Sequence, residues 1–249
     1  MTAWNARLIW ILGAQHPRSG GFTGADVYAV TYNDDVMTGT LRVLRDIAEN
    51  SERYGFFSDD SRRKAAAAYQ KGIDCILNTQ IAVATADGGK ILTAWCQQHD
   101  HETLEPIWAR TFEPPSITAC ESVGIIELLM EEKNPSEQVK IAVASACEWL
   151  SRPDIIIKGK KLVRKSAAAE VLNGRYSDYE QILEDDETAA DLWARFYDLE
   201  TTAPLWCDRD RRFCASFNDM SRERRNGYAY TGKWPQKILK KYPEWRAAH

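Results

Sequence analysis

Apolar residues recur at intervals of three and four through much of the chain, and that spacing predicts helices. Over positions 36–50, Met37, Leu41, Leu44, Ile47 and Ala48 fall on one stripe, with Arg42, Arg45, Asp46 and Glu49 largely away from it. A second helix is predicted over 61–78, where a serine start leads through an alanine run to Tyr69, Ile73, Ile76 and Leu77. A third follows Pro114 and Pro115, with Thr118 and Glu121 at capping-box spacing ahead of Ile125, Ile126, Leu128 and Leu129. For a fourth, Asn134 is the expected cap and Pro135 the first helical position. Its apolar face is Val139, Val143, Ala146, Cys147, Trp149 and Leu150. A short last helix is predicted from 235 to 242, stopped by Pro243.

Between the helices lie long irregular stretches at 13–33, 81–116 and 201–234. They are rich in Trp, Tyr, His and Arg, and connections that long point to function. Positions 155–163 alternate around Lys158-Gly159-Lys160 and predict a short hairpin. Short strands are predicted within 192–199 and 204–217. The pattern describes a mainly helical protein with its chemistry on loops at one end.

Composition narrows the function classes. The 249 residues carry a formal net charge of −4, which argues against a dedicated nucleic-acid binder. No apolar run approaches the roughly 18 residues of a membrane span. Positions 4–12 are greasy, but they lack a basic flank and a small-residue cleavage site and do not read as a signal peptide. Six cysteines lie far apart without a C-x-x-C pair, so a structural zinc site is not expected. Cys75, Cys120 and Cys147 read as buried small hydrophobes. Cys207 and Cys214 flank a charged turn, where a bridge or two free thiols are both open.

Four blocks offer chemistry. Tyr32-Asn33-Asp34-Asp35 precedes the first clear helix; one residue suffices as a cap, and the remaining carboxylates suit Ca²⁺. The stretch 92–116 carries Trp95, His99, His101, Arg110 and Glu113. Here His99 reads as a polar-cleft donor rather than a metal ligand, and Arg110 as either a site residue or a simple partner of Glu113. Arg195, among aromatics at 193–197, suits bidentate recognition of a carboxylate or packing against a ring, and Arg209 follows downstream. Positions 220–230 hold three bases with nearby acids and read as a structural turn at Asn226-Gly227.

Together these blocks resemble the family 10 polysaccharide lyases, which are pectate lyases. The likeness spans about 10–246. It rests on Tyr32-Asn33-Asp34-Asp35, Gly72-Ile73-Asp74-Cys75-Ile76-Leu77 with Thr79-Gln80, and Thr93-Ala94-Trp95-Cys96-Gln97-Gln98-His99-Asp100. It continues through Ala109-Arg110-Thr111-Phe112-Glu113-Pro114-Pro115-Ser116, Glu121-Ser122-Val123-Gly124-Ile125, Arg195-Phe196-Tyr197 and Glu223-Arg224-Arg225-Asn226-Gly227-Tyr228. The resemblance implies an (α/α) barrel or toroid, with short strands and long loops at the active-site end. It also implies an upstream segment with an Asp-Asn-Gly-Ala-Thr motif that is not found here. The expectation is therefore one catalytic domain over 1–249, N-terminally shortened, with an incomplete barrel.

By that resemblance the activity is calcium-dependent β-elimination of α-1,4-polygalacturonate to 4,5-unsaturated products. The implied roles are Arg110 as base, Asp34 and Asp35 as calcium ligands, and Arg195, Arg209, His99 and Trp95 on the substrate. Arginine holds its proton far above neutral pH, so Ca²⁺ and other arginines would have to lower the Arg110 pKa. Asn78 stands where relatives often carry a base. The expected partner is a pectate oligosaccharide, with neither nucleic acid nor membrane, and the expected state is a secreted or periplasmic monomer. The competing readings are a shortened homologue that only binds acidic polysaccharide and an enzyme for another uronate polymer.

Overall fold

The computed structural model describes residues 3–24, 29–85 and 87–249. Residues 25–28 of the irregular stretch 13–33, and residue 86 of 81–116, lie outside the described residues. The helix Val36–Ala48 forms as its stripe predicts, and Met37, Leu41 and Leu44 are fully buried. It packs on the helix Asp59–Asn78, where Gly72 lets the backbones approach. A methyl group on Gly72 would stand 2.3 Å from Leu41 Cδ2. Helices Ala119–Met130 and Glu137–Leu150 continue the apolar layer, and Pro235–Ala248 closes it.

Several boundaries differ from the sequence reading. Ser58, not Ser61, caps Asp59–Asn78 by accepting the Ser61 amide. Ser136 caps Glu137–Leu150 in place of Asn134. The capping box at Thr118 does not form. The Thr118 hydroxyl donates instead to the Trp95 carbonyl at 2.9 Å, and Glu121 is drawn to Arg195. Pro243 lies inside the last helix, which is anchored beyond it by the Trp245 ring N–H on the Met130 carbonyl. A further helix, Ala3–Ala14, covers the greasy N-terminal stretch.

The expectation of a mainly helical (α/α) barrel is corrected. Among the described residues seven helices share the fold with thirteen strands, and these pair antiparallel in five separate sheets. Most strands have two to four residues, too short to print a period of two. Thr231–Gly232, Leu192–Ala194 and Ile156–Ile157 form one sheet. Phe213–Cys214, Pro204–Cys207, Phe196–Tyr197 and Ile117–Thr118 form another. The expected hairpin at 155–163 does not form, since Ile156–Ile157 pairs with Leu192–Ala194. A longer ribbon, Lys160–Leu172 with Arg175–Asp185, turns at Asn173-Gly174. Both turn residues have positive φ, 47° and 77°, as a two-residue hairpin turn requires. No described helix is long and apolar enough to cross a membrane.

Candidate active site

The site is assembled where three loop blocks meet at the ends of these elements. Gln97 fastens two parts of the 92–116 stretch, donating its amide to the Glu113 carbonyl at 3.1 Å and the Pro114 carbonyl at 2.9 Å. That brings Glu113, only 1% exposed, beneath Arg110. Glu113 accepts from Arg110 Nε at 2.8 Å, Arg110 Nη2 at 2.6 Å, the Arg110 amide at 3.0 Å and the Tyr228 hydroxyl at 2.5 Å. Burial alone would raise the Glu113 carboxyl, but these donors outweigh it and hold its pKa below the usual range.

A second ion pair runs parallel. Arg195 donates Nε to Glu121 Oε1 at 3.1 Å and Nη2 to the same oxygen, while Nη1 reaches the Ala229 carbonyl at 3.3 Å. Its guanidinium lies 4.6 Å over the Tyr228 ring, and that of Arg110 lies 5.4 Å from the same ring. Tyr228 therefore joins the two arginines, through its ring to both and through its hydroxyl to Glu113. Burial would lower the Arg195 pKa, yet Glu121 and Tyr228 beside it make the net shift upward. Each guanidinium keeps N–H groups beyond those bonds, enough for a planar anion.

The calcium-candidate loop packs against the helix Ala119–Met130. Asp34 and Asp35 are exposed and both adopt left-handed backbone, φ 54° and 57°. Among the described residues neither makes the side-chain cap bond that the capping reading required, and Asp35 Oδ1 accepts the Thr38 hydroxyl at 3.2 Å. The negative charge of Asp34 reaches Arg110 and helps raise its pKa, after the larger effect of the Glu113 hydrogen bonds. Beside them Asn33 is buried, and its Oδ1 has no hydrogen-bond partner among the described residues. Gly124 leaves open the space next to Asp35, since a Cβ there would sit 3.4 Å from Asp35 Oδ1. Among the described residues no cluster of three or more His, Cys, Asp or Glu could hold a metal. The hard oxygen set fits calcium, but as a minority of the 6–8 oxygens that ion takes.

Arg209 joins the same face. It pairs with Glu223 at 2.9 Å, lies 5.3 Å from the Phe112 ring, and is close enough to Arg110 for the two charges to oppose each other. Glu223 also accepts from the buried Arg224, and the two arginines hold its pKa down to about 2. A cleft of about 340 Å³ opens here, lined by Arg110, Phe112, Arg209, Arg224 and Tyr228 and walled by the hairpin tip.

His99 and Trp95 lie in the interior and not on this cleft, each 0% exposed. His99 Nδ1 donates to the Leu104 carbonyl at 2.8 Å and Nε2 accepts the Cys96 amide at 3.2 Å. Burial pushes its pKa down to about 4, so the ring is a neutral strut for the loop. Trp95 donates its ring N–H to the Ile76 carbonyl at 2.8 Å. All six cysteines, Cys207 and Cys214 among them, are free thiols. Glu121 and Tyr228 stood within recognised blocks, but nothing in their spacing showed that they would meet arginines far along the chain. The hairpin had a legible signal in Asn173-Gly174, which the alanines at 167–169 concealed by breaking the strand alternation.

The pectic acid lyase family model matches residues 14–239. Two solved structures are similar. One is a mutant of the family 10 polysaccharide lyase from Cellvibrio cellulosa in complex with trigalacturonic acid, 26% identical, with a TM-score of 0.80. That match covers 96% of this chain and 72% of the other. The second is the family 10 polysaccharide lyase from Cellvibrio cellulosa, 26% identical, with a TM-score of 0.79 over 95% of this chain and 70% of the other. No curated protein matches the chain.

Proposed function

The chain belongs to the pectic acid lyase family and is a lyase acting on polysaccharides; from that premise we propose that it is a calcium-dependent pectate lyase. The substrate is α-1,4-polygalacturonate and the reaction is β-elimination. A similar structure bound to trigalacturonic acid supports an oligogalacturonate as ligand. The observation that carries the reading is an arginine-lined cleft in which Arg110, fixed by Glu113, also feels the negative charge of Asp34.

In this reading Arg110 takes the proton from C5. The C5 electrons form the C4–C5 double bond, and the glycosidic oxygen leaves C4. Negative charge builds on the uronate carboxylate, and the free N–H groups of Arg195 are suited to receive it. Asp34 and Asp35 would hold the calcium, whose chemistry there would be Lewis-acid stabilisation of that carboxylate. Glu113 and Asp34 favour the proton on Arg110, so the base role needs cationic neighbours to outweigh them. Arg209 is one such neighbour. Action outside the cell belongs to the same proposal, since the polymer is extracellular material.

The test is the ultraviolet absorbance of the unsaturated product on polygalacturonate at alkaline pH, with Ca²⁺ or with EGTA. Product that disappears in EGTA is the expected result. Saturable binding without product would leave a binding protein, and product from another uronan only would move the substrate. Arg110→Ala is expected to lower turnover by roughly 10²–10⁴-fold with unchanged far-ultraviolet circular dichroism. Near-normal turnover would remove Arg110 from the base role.

A further inference from the structure

The ribbon Lys160–Leu172/Arg175–Asp185 is held over the cleft by a polar dock. Arg222 donates to the backbone carbonyls of Ala168 at 2.7 Å, Ser177 at 3.0 Å and Tyr179 at 2.9 Å. Asn226 donates to the Ser177 hydroxyl at 2.9 Å and the Tyr179 carbonyl at 2.7 Å, and accepts the Gln181 amide at 2.8 Å. Asn218 pairs with both backbone groups of Leu183. A two-stranded ribbon is marginal by itself, so these bonds fix where its tip stands.

Alternation along the second strand puts Arg175, Ser177 and Tyr179 on one face. Ser177 and Tyr179 are engaged by the Arg222–Gly227 helix. Arg175 comes one step nearer the turn, overhangs the cleft, and is exposed. Its guanidinium has no ion pair or hydrogen bond among the described residues, unlike Arg110, Arg195, Arg209 and Arg224, each held by a glutamate. The cleft lining carries four arginines, Arg110, Arg175, Arg209 and Arg224, against the single acid Glu223, on a chain of net charge −4. An unpaired cation fixed at the rim of such a cleft is suited to a substrate anion that the other arginines do not reach.

We infer that Arg175 on the hairpin tip forms a separate subsite, which binds the carboxylate of a uronate residue of the polymer away from the sugar at Arg110. This deepens the pectate reading and rests on it. The subsite recognises polymer length, because a short oligomer seated at Arg110 leaves it empty. It adds affinity without touching the reacting atoms, so it acts on KM and not on kcat.

The experiment measures calorimetric binding of digalacturonate and hexagalacturonate with Ca²⁺, and product formation in parallel, for the wild type and variants. Arg175→Ala is expected to weaken hexagalacturonate binding roughly tenfold, the range of one charge-assisted contact at a partly exposed site. Digalacturonate binding and kcat on polymer stay as in the wild type. Arg175→Lys is expected to restore part of the loss. Val171→Ala, an exposed substitution on the same ribbon, is expected to change neither and so controls for hairpin structure. Hexagalacturonate bound equally tightly by the wild type and Arg175→Ala would overturn the subsite, as would an equal loss for both oligomers. Absence of product from the wild type would sink the lyase reading instead, and the binding ratio would still decide the subsite.

Discussion

The helix pair Val36–Ala48/Asp59–Asn78 and the hairpin dock on Arg222–Gly227 show two ways of fixing one element to another. The helix pair is joined by area: Met37, Leu41, Leu44, Ala65 and Ile76 are fully buried, and Gly72 is flush against Leu41. The dock is joined by direction. Its contacts are mostly guanidinium and amide groups on backbone carbonyls and amides, with Asn226 on the Ser177 hydroxyl and Arg225 on Glu180 at 2.8 Å. Apolar burial is non-directional and contributes most of the stability, whereas hydrogen bonds each contribute little net but specify position. The first region keeps the chain folded, and the second places a charge.

That contrast can be broken at the helix pair. Leu41→Ala leaves a void against Gly72 that the helices cannot close, and is expected to lower unfolding stability by about 2–5 kcal/mol in denaturant titrations. A loss well under that range would mean the pair is not the stability centre.

An effect of intermediate size comes from pH. The folded pKa of His99 is about 4 against 6.5 for the free side chain, because burial opposes the charged ring. The unfolded chain therefore binds the extra proton first as pH falls. The stability held by the neutral ring is complete above pH 6.5 and is lost on descending from 6.5 to 4, on the order of 3 kcal/mol. Melting temperature recorded across that window should fall for the wild type and fall less for His99→Gln. Parallel curves would show that another group carries the acid sensitivity.

The smallest change is expected at the dock. Asn226→Ala removes three hydrogen bonds to the ribbon, partly replaced by water, and should cost only about 1–2 kcal/mol in stability. It should nonetheless raise KM on polymer by displacing Arg175. A stability loss as large as that of Leu41→Ala would erase the distinction between the two regions.

The same contrast explains how much was legible in the sequence. Aliphatic stripes repeat within one element, so the helices at 36–48, 59–78, 119–130 and 137–150 could be read with shifts only at their ends. The caps moved because Ser58 and Ser136 compete with equally plausible neighbours. The barrel expectation failed because strands of two or three residues are fixed by distant partners and not by local pattern. In the candidate site, Asp34, Arg110, Arg195 and Arg209 were assigned their roles by the resemblance alone. The pairing of Arg110 with Glu113 was visible at a spacing of three. Tyr228 beside both arginines was not, because that geometry joins it to Arg110 and Arg195, which lie far from it and from each other along the chain. His99 and Trp95 were misplaced because polar and aromatic residues in a loop-rich block suggest exposure, while here they anchor the loops from inside.

The central claim is that Asp34 and Arg110 act on the same sugar. A double-mutant cycle in calcium-dependent trigalacturonate binding tests it most directly, using Asp34→Asn, Arg110→Ala and the combined variant. The account predicts coupling, with the double variant losing clearly less affinity than the product of the two single losses. Two losses that multiply as if independent would place the residues on different parts of the ligand and contradict it.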